Sequence, residues 1–528
     1  AHEGRMAAVS QTRFRGLIAR LCPLQVRGAS LAAGASLATE TAAAAAARTT
    51  AASVARLCPS RVLGPRPRAR GLKREPQSMV RRRGLALLSC WVLGGGGSGA
   101  HILSAAASPA RAVDLSKACV HFAECPGCSV ATQLDQPPVL ARARDFFRSE
   151  CDVADVPSIM GPGTGWRTHA KLAVRGRAGA PLIGLFKARS HEVLQIPQCA
   201  VHHPAINSAV AELSALMAEA RTSVYDEPSH TGLVRYLQVS VERSSGKVQL
   251  ALVCNAPPVP AAAAAGSEVA GPVAPRGLLP LLALLAERAA LPASVWHSVW
   301  VHFNEERRNN IVCYLPAPAG TSRWLLVSGP PAVRERVHKR VFAFPPFIFR
   351  QANLDAFEGI AREVAESVTE GSRVTELYAG IGLLGLNCAE RVLSVRCSDV
   401  NPNLEDAVGA ALEHLPPELR ARMHFARLDA AEAMGELSGA DVLIVDPPRK
   451  GLDKALLSAL CAARAGGGAA ASIEQLCYVS CGYDALERDA RALLAAGWRV
   501  RSARAHVLVP GANHIETVAI FDRCQTHG

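Results

Sequence analysis

Val374-Thr375-Glu376-Leu377-Tyr378-Ala379-Gly380-Ile381-Gly382-Leu383-Leu384-Gly385 reads as a strand that runs into a glycine turn and then a helix. Glycine at 380 and 382 lets backbone amides approach a nucleotide-like ligand at the point where strand order reverses in an open sheet. Dinucleotide enzymes and methyltransferases share this turn, so it decides the fold before it decides the chemistry. From about residue 355 strands alternate with amphipathic helices, which predicts an α/β fold with a doubly wound, Rossmann-like C-terminal domain over 341–528.

The ends of the following strands carry the polar residues. Leu393 to Asp399 ends in a carboxylate placed where a ribose diol binds, or where an Asp caps the turn Val400-Asn401-Pro402. A third strand leads to Asp429, a candidate adenine contact. The fourth is Asp441-Val-Leu-Ile-Val-Asp446-Pro447-Pro448-Arg449, an apolar run ending in Asp-Pro-Pro, which resembles motif four of methyltransferases. Gln475-Leu-Cys-Tyr478-Val-Ser-Cys481 then puts a thiol at the tip of the fifth strand, and His514-Ile-Glu516 puts a carboxylate at the mouth of the last. Uracil C5 is a poor nucleophile. Thiolate addition at C6 turns it into an enolate that attacks a methyl sulfonium, and a base must then remove the C5 proton. Cys481 and Glu516 fit these two roles, although buried cysteines such as Cys477 are also common in cores.

Upstream lies Cys119-Val-His-Phe-Ala-Glu-Cys125-Pro-Gly-Cys128, a C-x5-C-x2-C array that can wrap one metal centre if Cys199 supplies a fourth thiol. Four thiolates suit either an iron-sulfur cluster or zinc. The spacing differs from the C-x3-C-x2-C loop of radical chemistry, so the site reads as structural. Short strand-like runs (Lys171 to Arg175, Leu182 to Phe186, 231–254, 295–328, with Ile311 to Leu315 among them) and a helix from Pro204 predict an α+β substrate domain over 113–340. The Pro/Ala-rich stretch 255–276 reads as a disordered insertion.

The 528 residues carry a net charge of +13, but the basic excess is confined to one end: residues 1–112 hold 17 Lys or Arg against three acids, and the other 416 come to −1. With 49% hydrophobic residues, collagen-like and largely disordered classes are excluded. Sixteen cysteines, irregularly spaced in so long a chain, read as thiols and metal ligands. Residues 1–112, rich in Ala, Arg, Ser and Gly, read as an organellar transit peptide. A twin-arginine export signal is the alternative, from Arg81-Arg82-Arg83 and the uncharged stretch after it. The expected location is the chloroplast stroma, with a mitochondrion as the alternative, and no membrane span is expected because Gly94 to Gly97 break the apolar stretch.

Taken in order, these motifs together with Trp166-Arg167, Lys171-Leu-Ala-Val and Phe349-Arg-Gln351-Ala-Asn353 resemble the RNA uracil-5 methyltransferases over residues 117–523. The resemblance implies 5-methyluridine formation in tRNA or rRNA from S-adenosylmethionine. It implies donor contacts from Gln351, Tyr378, Asp399 and Asp446, beside the Gly380, Gly382 and Asp429 read from the turn and strand ends, a [4Fe-4S] cluster on Cys119, Cys125, Cys128 and Cys199, Cys481 as nucleophile and Glu516 as base. RNA is the expected partner, and a monomer is expected. The chain departs from the family in having no evident TRAM module upstream, Cys481-Gly482-Tyr483 in place of Cys-Asn-Pro, Val509-Pro510-Gly511-Ala512 in place of Phe-Pro-x-Thr, and Leu383 in the glycine turn. A catalytically silent RNA-binding or chaperone protein, or an RNA cytosine-5 methyltransferase, are the competing readings.

Overall fold

The computed structural model describes residues 113–264, 274–307, 310–313, 316–462 and 468–524. The expected transit peptide, 1–112, lies outside the described residues. Among the described residues no helix is long and apolar enough to cross a membrane.

In chain order the strands are β1 (Ser158–Met160), β2 (His169–Arg177), β3 (Ala180–Phe186), β4 (Val193–Gln195), β5 (Val234–Val241), β6 (Val248–Cys254), β7 (Val259–Pro260), β8 (Trp296–Phe303), β9 (Thr321–Ser322) and β10 (Trp324–Ser328). They continue as β11 (Val333–Val337), β12 (Arg340–Phe344), β13 (Arg373–Leu377), β14 (Ser394–Ser398), β15 (Met423–Ala426), β16 (Val442–Val445), β17 (Gln475–Ser480), β18 (Trp498–Val507) and β19 (Glu516–Arg523). Two large sheets result, ordered β10-β8-β6-β5-β2-β3-β4 and β1-β18-β19-β17-β16-β13-β14-β15.

The second sheet is the doubly wound layer expected from the glycine turn. Strands β13 to β17 run parallel and β19 lies antiparallel between β17 and β18. Every residue of β16 and β17 is buried, as befits parallel strands covered on both faces. Strand order reverses at β13, whose neighbours are β14 and β16, so a crevice opens at their carboxyl ends. The helix Leu354–Ser367 covers one face: Phe357, Ile360, Ala361, Val364 and Ala365 are buried at helical spacing. Its N-cap is Asn353, whose side-chain oxygen accepts from the Ala356 amide while its Nδ2 donates to Leu508 O at 3.0 Å.

The first sheet is antiparallel except for the β6–β8 pair. The helices Pro204–Glu219 and Leu279–Ala289 share an apolar core with its strands. The boundary expected at residue 340 is not the one the core follows. Strand β1 pairs with β18 in the other sheet, and Phe146 and Phe147 of the helix Pro138–Glu150 are buried in the same cluster as Leu443 and Leu476. Val333, Val337, Phe342 and Phe344 likewise belong to the core of the C-terminal layer. The apolar faces of these segments are too small to form a core of their own and are buried on the larger sheet.

Two local expectations are corrected. Ile311 to Cys313, expected to begin a strand, form none: Cys313 N donates to His302 Nε2 at 3.0 Å and Asn304 Nδ2 takes the Asn310 carbonyl at 2.8 Å, so side chains satisfy the backbone that a ladder would have used. The stretch 255–276 is ordered where it is described, with β7 paired to β9 and Asn255 Nδ2 on the carbonyls of His230 and Gly232; residues 265–273 lie outside the described residues.

Candidate active site

Register brings the predicted residues to one edge. Leu377 sits beside Ser398 on β14 and Val445 on β16, so Tyr378, Asp399 and Asp446, each one step further along, leave adjacent strands at the crevice. Val445 pairs with Tyr478, and Ser480 pairs with Thr517 in the antiparallel β17–β19 ladder. Cys481 and Glu516 therefore face each other across neighbouring strands.

The glycine turn is built as expected. Gly380 and Gly382 have φ of +55° and +74°, and a Cβ on Gly380 would meet nothing within 4 Å, so the backbone there borders open space. Gly380 N donates to Asp399 Oδ2 at 2.9 Å, and Asn401 N donates to Oδ1 at 2.9 Å; the ribose-position carboxylate thus also closes its own turn. Tyr378, at φ +58°, is turned toward Asp453: its hydroxyl donates to Asp453 Oδ2 at 3.0 Å and accepts from the Asp453 amide. Asp429 has a capping task, its Oδ1 accepting from Ala431 N and Glu432 N at the entry to the 3-10 helix Glu432–Leu437. Gln351 is half-buried, one residue before Ala352, whose carbonyl takes the Thr168 amide.

At the other end of the crevice the charges interact. Burial, then the charge of Asp446, holds the Glu516 carboxyl up at about 8, and burial holds Asp446 at about 7. Burial, then the charges of Glu516 and Asp446, raises the Cys481 thiol to about 11, while Arg449 pulls both Cys481 and Glu516 down. His514 Nε2 donates to the Cys481 carbonyl at 2.8 Å, which fixes the neutral tautomer with Nδ1 as acceptor; burial lowers its pKa. A thiol, a carboxyl of near-neutral pKa and an exposed guanidinium thus surround one space.

The four array cysteines also converge. Cys119, Cys125, Cys128 and Cys199 line one cavity of about 150 Å³ together with Arg167 and His121. Among the described residues no three His, Cys, Asp or Glu side chains are closed onto a single metal position. Burial raises the thiols of Cys125, Cys128 and Cys199, with Cys128 reaching about 11. The same loop docks on the segment leading to the carboxyl edge: Ser129 N and Val130 N both donate to Gly511 O, at 2.7 and 2.9 Å.

No family model matches the chain. A protein of Protochlamydia amoebophila named an uncharacterized RNA methyltransferase is 36% identical over 77% of this chain and 97% of its own length. The chain belongs to the RNA methyltransferase family. The resemblance carried by the ordered motifs, to the RNA uracil-5 methyltransferases, is borne out at that level. An uncharacterized RNA methyltransferase of Geobacter sulfurreducens is 26% identical over 78% of each chain. Among solved structures, the Pyrococcus abyssi tRNA (uracil-54, C5)-methyltransferase in complex with S-adenosyl-L-homocysteine superposes with a TM-score of 0.54 at 20% identity, covering 72% of this chain and 81% of that one, which establishes a shared fold.

Two buried groups in this RNA methyltransferase carry no motif in the sequence that points to a task. Glu376, 2% exposed and held by burial at about 7, accepts from Gly385 N at 2.9 Å and pins the helix that follows the glycine turn. Asp489 is fully buried behind the Asp-Pro-Pro loop. The first was legible as an acid inside an apolar strand; the second gave no signal, since its helix reads as amphipathic throughout.

Proposed function

We propose that the chain is an S-adenosylmethionine-dependent RNA (uracil-5-)-methyltransferase that makes 5-methyluridine in the tRNA or rRNA of an organelle, the chloroplast stroma first. The observation that carries this reading is the thiol of Cys481 facing the carboxyl of Glu516 across the β17–β19 ladder, beside Asp446 at the crevice. Asp399 would hold the ribose diol, and the open space at Gly380 supports a donor site beside Gly382 that Tyr378, Gln351 and Asp446 would complete. Bound S-adenosylmethionine supplies the methyl group as a sulfonium electrophile.

The Cys481 thiol gives up its proton to solvent and its sulfur bonds to uracil C6; the displaced π electrons collect at C5 and O4, and C5 takes the methyl from the sulfonium, which leaves as a neutral thioether. Glu516 then removes the C5 proton; those electrons restore the C5–C6 double bond as the S–C6 bond breaks and the thiolate leaves. A carboxyl held at about 8 is basic enough for this transfer near neutral pH. Arg449 favours the charged forms of both groups.

We assign Cys119, Cys125, Cys128 and Cys199 to a [4Fe-4S] cluster. Thiols set around a cavity suit a polynuclear group better than a single zinc ion, whose sulfur ligands close to about 2.3 Å. The cluster would tie the cysteine loop, whose backbone also bonds to Gly511, to the Cys199 segment, and no step of the reaction passes through it.

Cys481→Ala is expected to abolish 5-methyluridine formation on organellar RNA while S-adenosylmethionine binding survives. Unchanged activity ends the assignment, and nucleoside mass spectrometry separates 5-methyluridine from the 5-methylcytidine that the cytosine reading requires.

A further inference from the structure

The Asp446-Pro-Pro-Arg449 loop returns through Lys450 to Asp453 across the helix Tyr483–Ala495, which begins two residues after the nucleophile. Asp489 on that helix has no exposed surface. Its Oδ2 accepts from Leu452 N and from the Tyr478 hydroxyl, both at 2.9 Å, and its Oδ1 accepts from Arg488 Nε at 2.9 Å and Nη2 at 2.7 Å. Arg488 Nη2 also donates to the Lys450 carbonyl at 2.8 Å. One buried carboxylate thus joins the loop after β16 to strand β17 and to the helix that follows Cys481.

The contact surfaces on both sides are glycines. A Cβ on Gly451, which has φ +86°, would fall 2.5 Å from Asp489 Oδ2 and 2.6 Å from Arg488 Nη2. A Cβ on Gly482 would fall 2.5 Å from the Arg449 carbonyl oxygen. Where many members of the family carry Asn after the nucleophile, this chain carries a residue with no side chain, and the Arg449 backbone occupies the space.

We propose that Asp489, acting with Arg488, is a positioning residue that holds the Asp446–Asp453 loop against the nucleophile's loop, so that Asp446 and Arg449 stand at fixed places beside Cys481 and Glu516. The inference rests on reading Cys481 as the nucleophile. An unmade bond to a buried carboxylate leaves its partners unsatisfied, so the loop loses its register when the carboxylate is removed.

The test uses Asp489→Asn together with Arg488→Gln, which takes the guanidinium from Asp489 Oδ1 and the Lys450 carbonyl but leaves the bonds of Asp489 Oδ2 to Leu452 N and the Tyr478 hydroxyl in place. Amide hydrogen exchange is read across residues 447–453, and adduct formation is measured on RNA transcripts containing 5-fluorouridine, whose fluorine prevents release from the thiol. In both variants exchange at Lys450 to Asp453 rises at least tenfold relative to the wild type. The adduct forms at least tenfold more slowly in Asp489→Asn, with the RNA dissociation constant changed less than threefold. Exchange in that segment unchanged in both variants overturns the proposal. A wild-type protein that forms no adduct overturns the nucleophile reading instead, and the exchange result still decides whether the loop is held by Asp489.

Discussion

Glu516→Gln separates the two halves of the proposed reaction. In the wild type, a carboxyl held at about 8 is roughly one-tenth ionised at pH 7 and about nine-tenths ionised at pH 9. If Glu516 must be ionised to act and proton removal limits turnover, kcat rises close to tenfold from pH 6 to 7 and the Glu516 contribution flattens beyond 8, any further rise toward pH 10 belonging to the Cys481 thiol held at about 11. Glutamine keeps the size and the burial but accepts no proton. Addition to C6 and methylation of C5 then proceed, while removal of the C5 proton does not, and turnover falls by about 10² to 10⁴. The stalled species is RNA joined to Cys481 through C6 and carrying the methyl on C5, a complex that survives denaturing electrophoresis and shows the labelled methyl in the protein band. A Glu516→Gln protein that turns over within threefold of the wild type, or one that loses turnover with no trapped RNA, refutes the assignment of the base.

Three further outcomes are expected. The buried carboxyls of Glu376 and Glu516 are raised in the folded chain, so folded protein holds protons that the unfolded chain releases above its ordinary carboxyl range; stability therefore declines as pH rises from about 4.5 to 8, and Glu516→Gln raises the melting temperature at pH 8.5 more than at pH 5. A melting temperature that is flat with pH contradicts the buried protons. Protein purified without oxygen is expected to be brown, with an absorbance near ~400 nm that Cys199→Ala removes; stoichiometric zinc without iron refutes the cluster. Because residues 113–528 carry a net charge of −1, RNA affinity is expected to fall only modestly between low and moderate salt, and a steep slope would reveal a basic groove.

The parts of this fold that local chemistry dictates were legible in the sequence. The glycine turn, the buried β16 run and the polar residues at its end follow from period and composition, so Gly380, Asp399, Asp446, Cys481 and Glu516 could be placed on one edge before any coordinates. Tyr378, a donor contact by the resemblance, and Asp429, one by its strand-end position, each also make a hydrogen bond that no spacing rule exposes. That the apolar core continues across the expected boundary at residue 340 was not legible for a related reason. Whether Phe146 and Phe147 are buried on one sheet or the other is a question of partner, and apolar periodicity gives only the face. Asp489 escaped because a single acid on an amphipathic helix is ordinarily solvated, and only the close approach at Gly451 reveals that this one is enclosed.

Strand β1 has a consequence for how the protein is made. Among the described residues Ser158, Ile159 and Met160 pair with Ala505, His506 and Val507, so one edge of the eight-stranded sheet waits for a partner synthesised hundreds of residues later. Contacts so distant in sequence form late, after the entropy of closing a long loop has been overcome. The strands that carry the proposed nucleophile and base, β17 and β19, also come late, on either side of β18 in sequence. A nascent chain can thus acquire the glycine turn and much of the first sheet while it still lacks the proposed catalytic pair, and methyl transfer waits for β19.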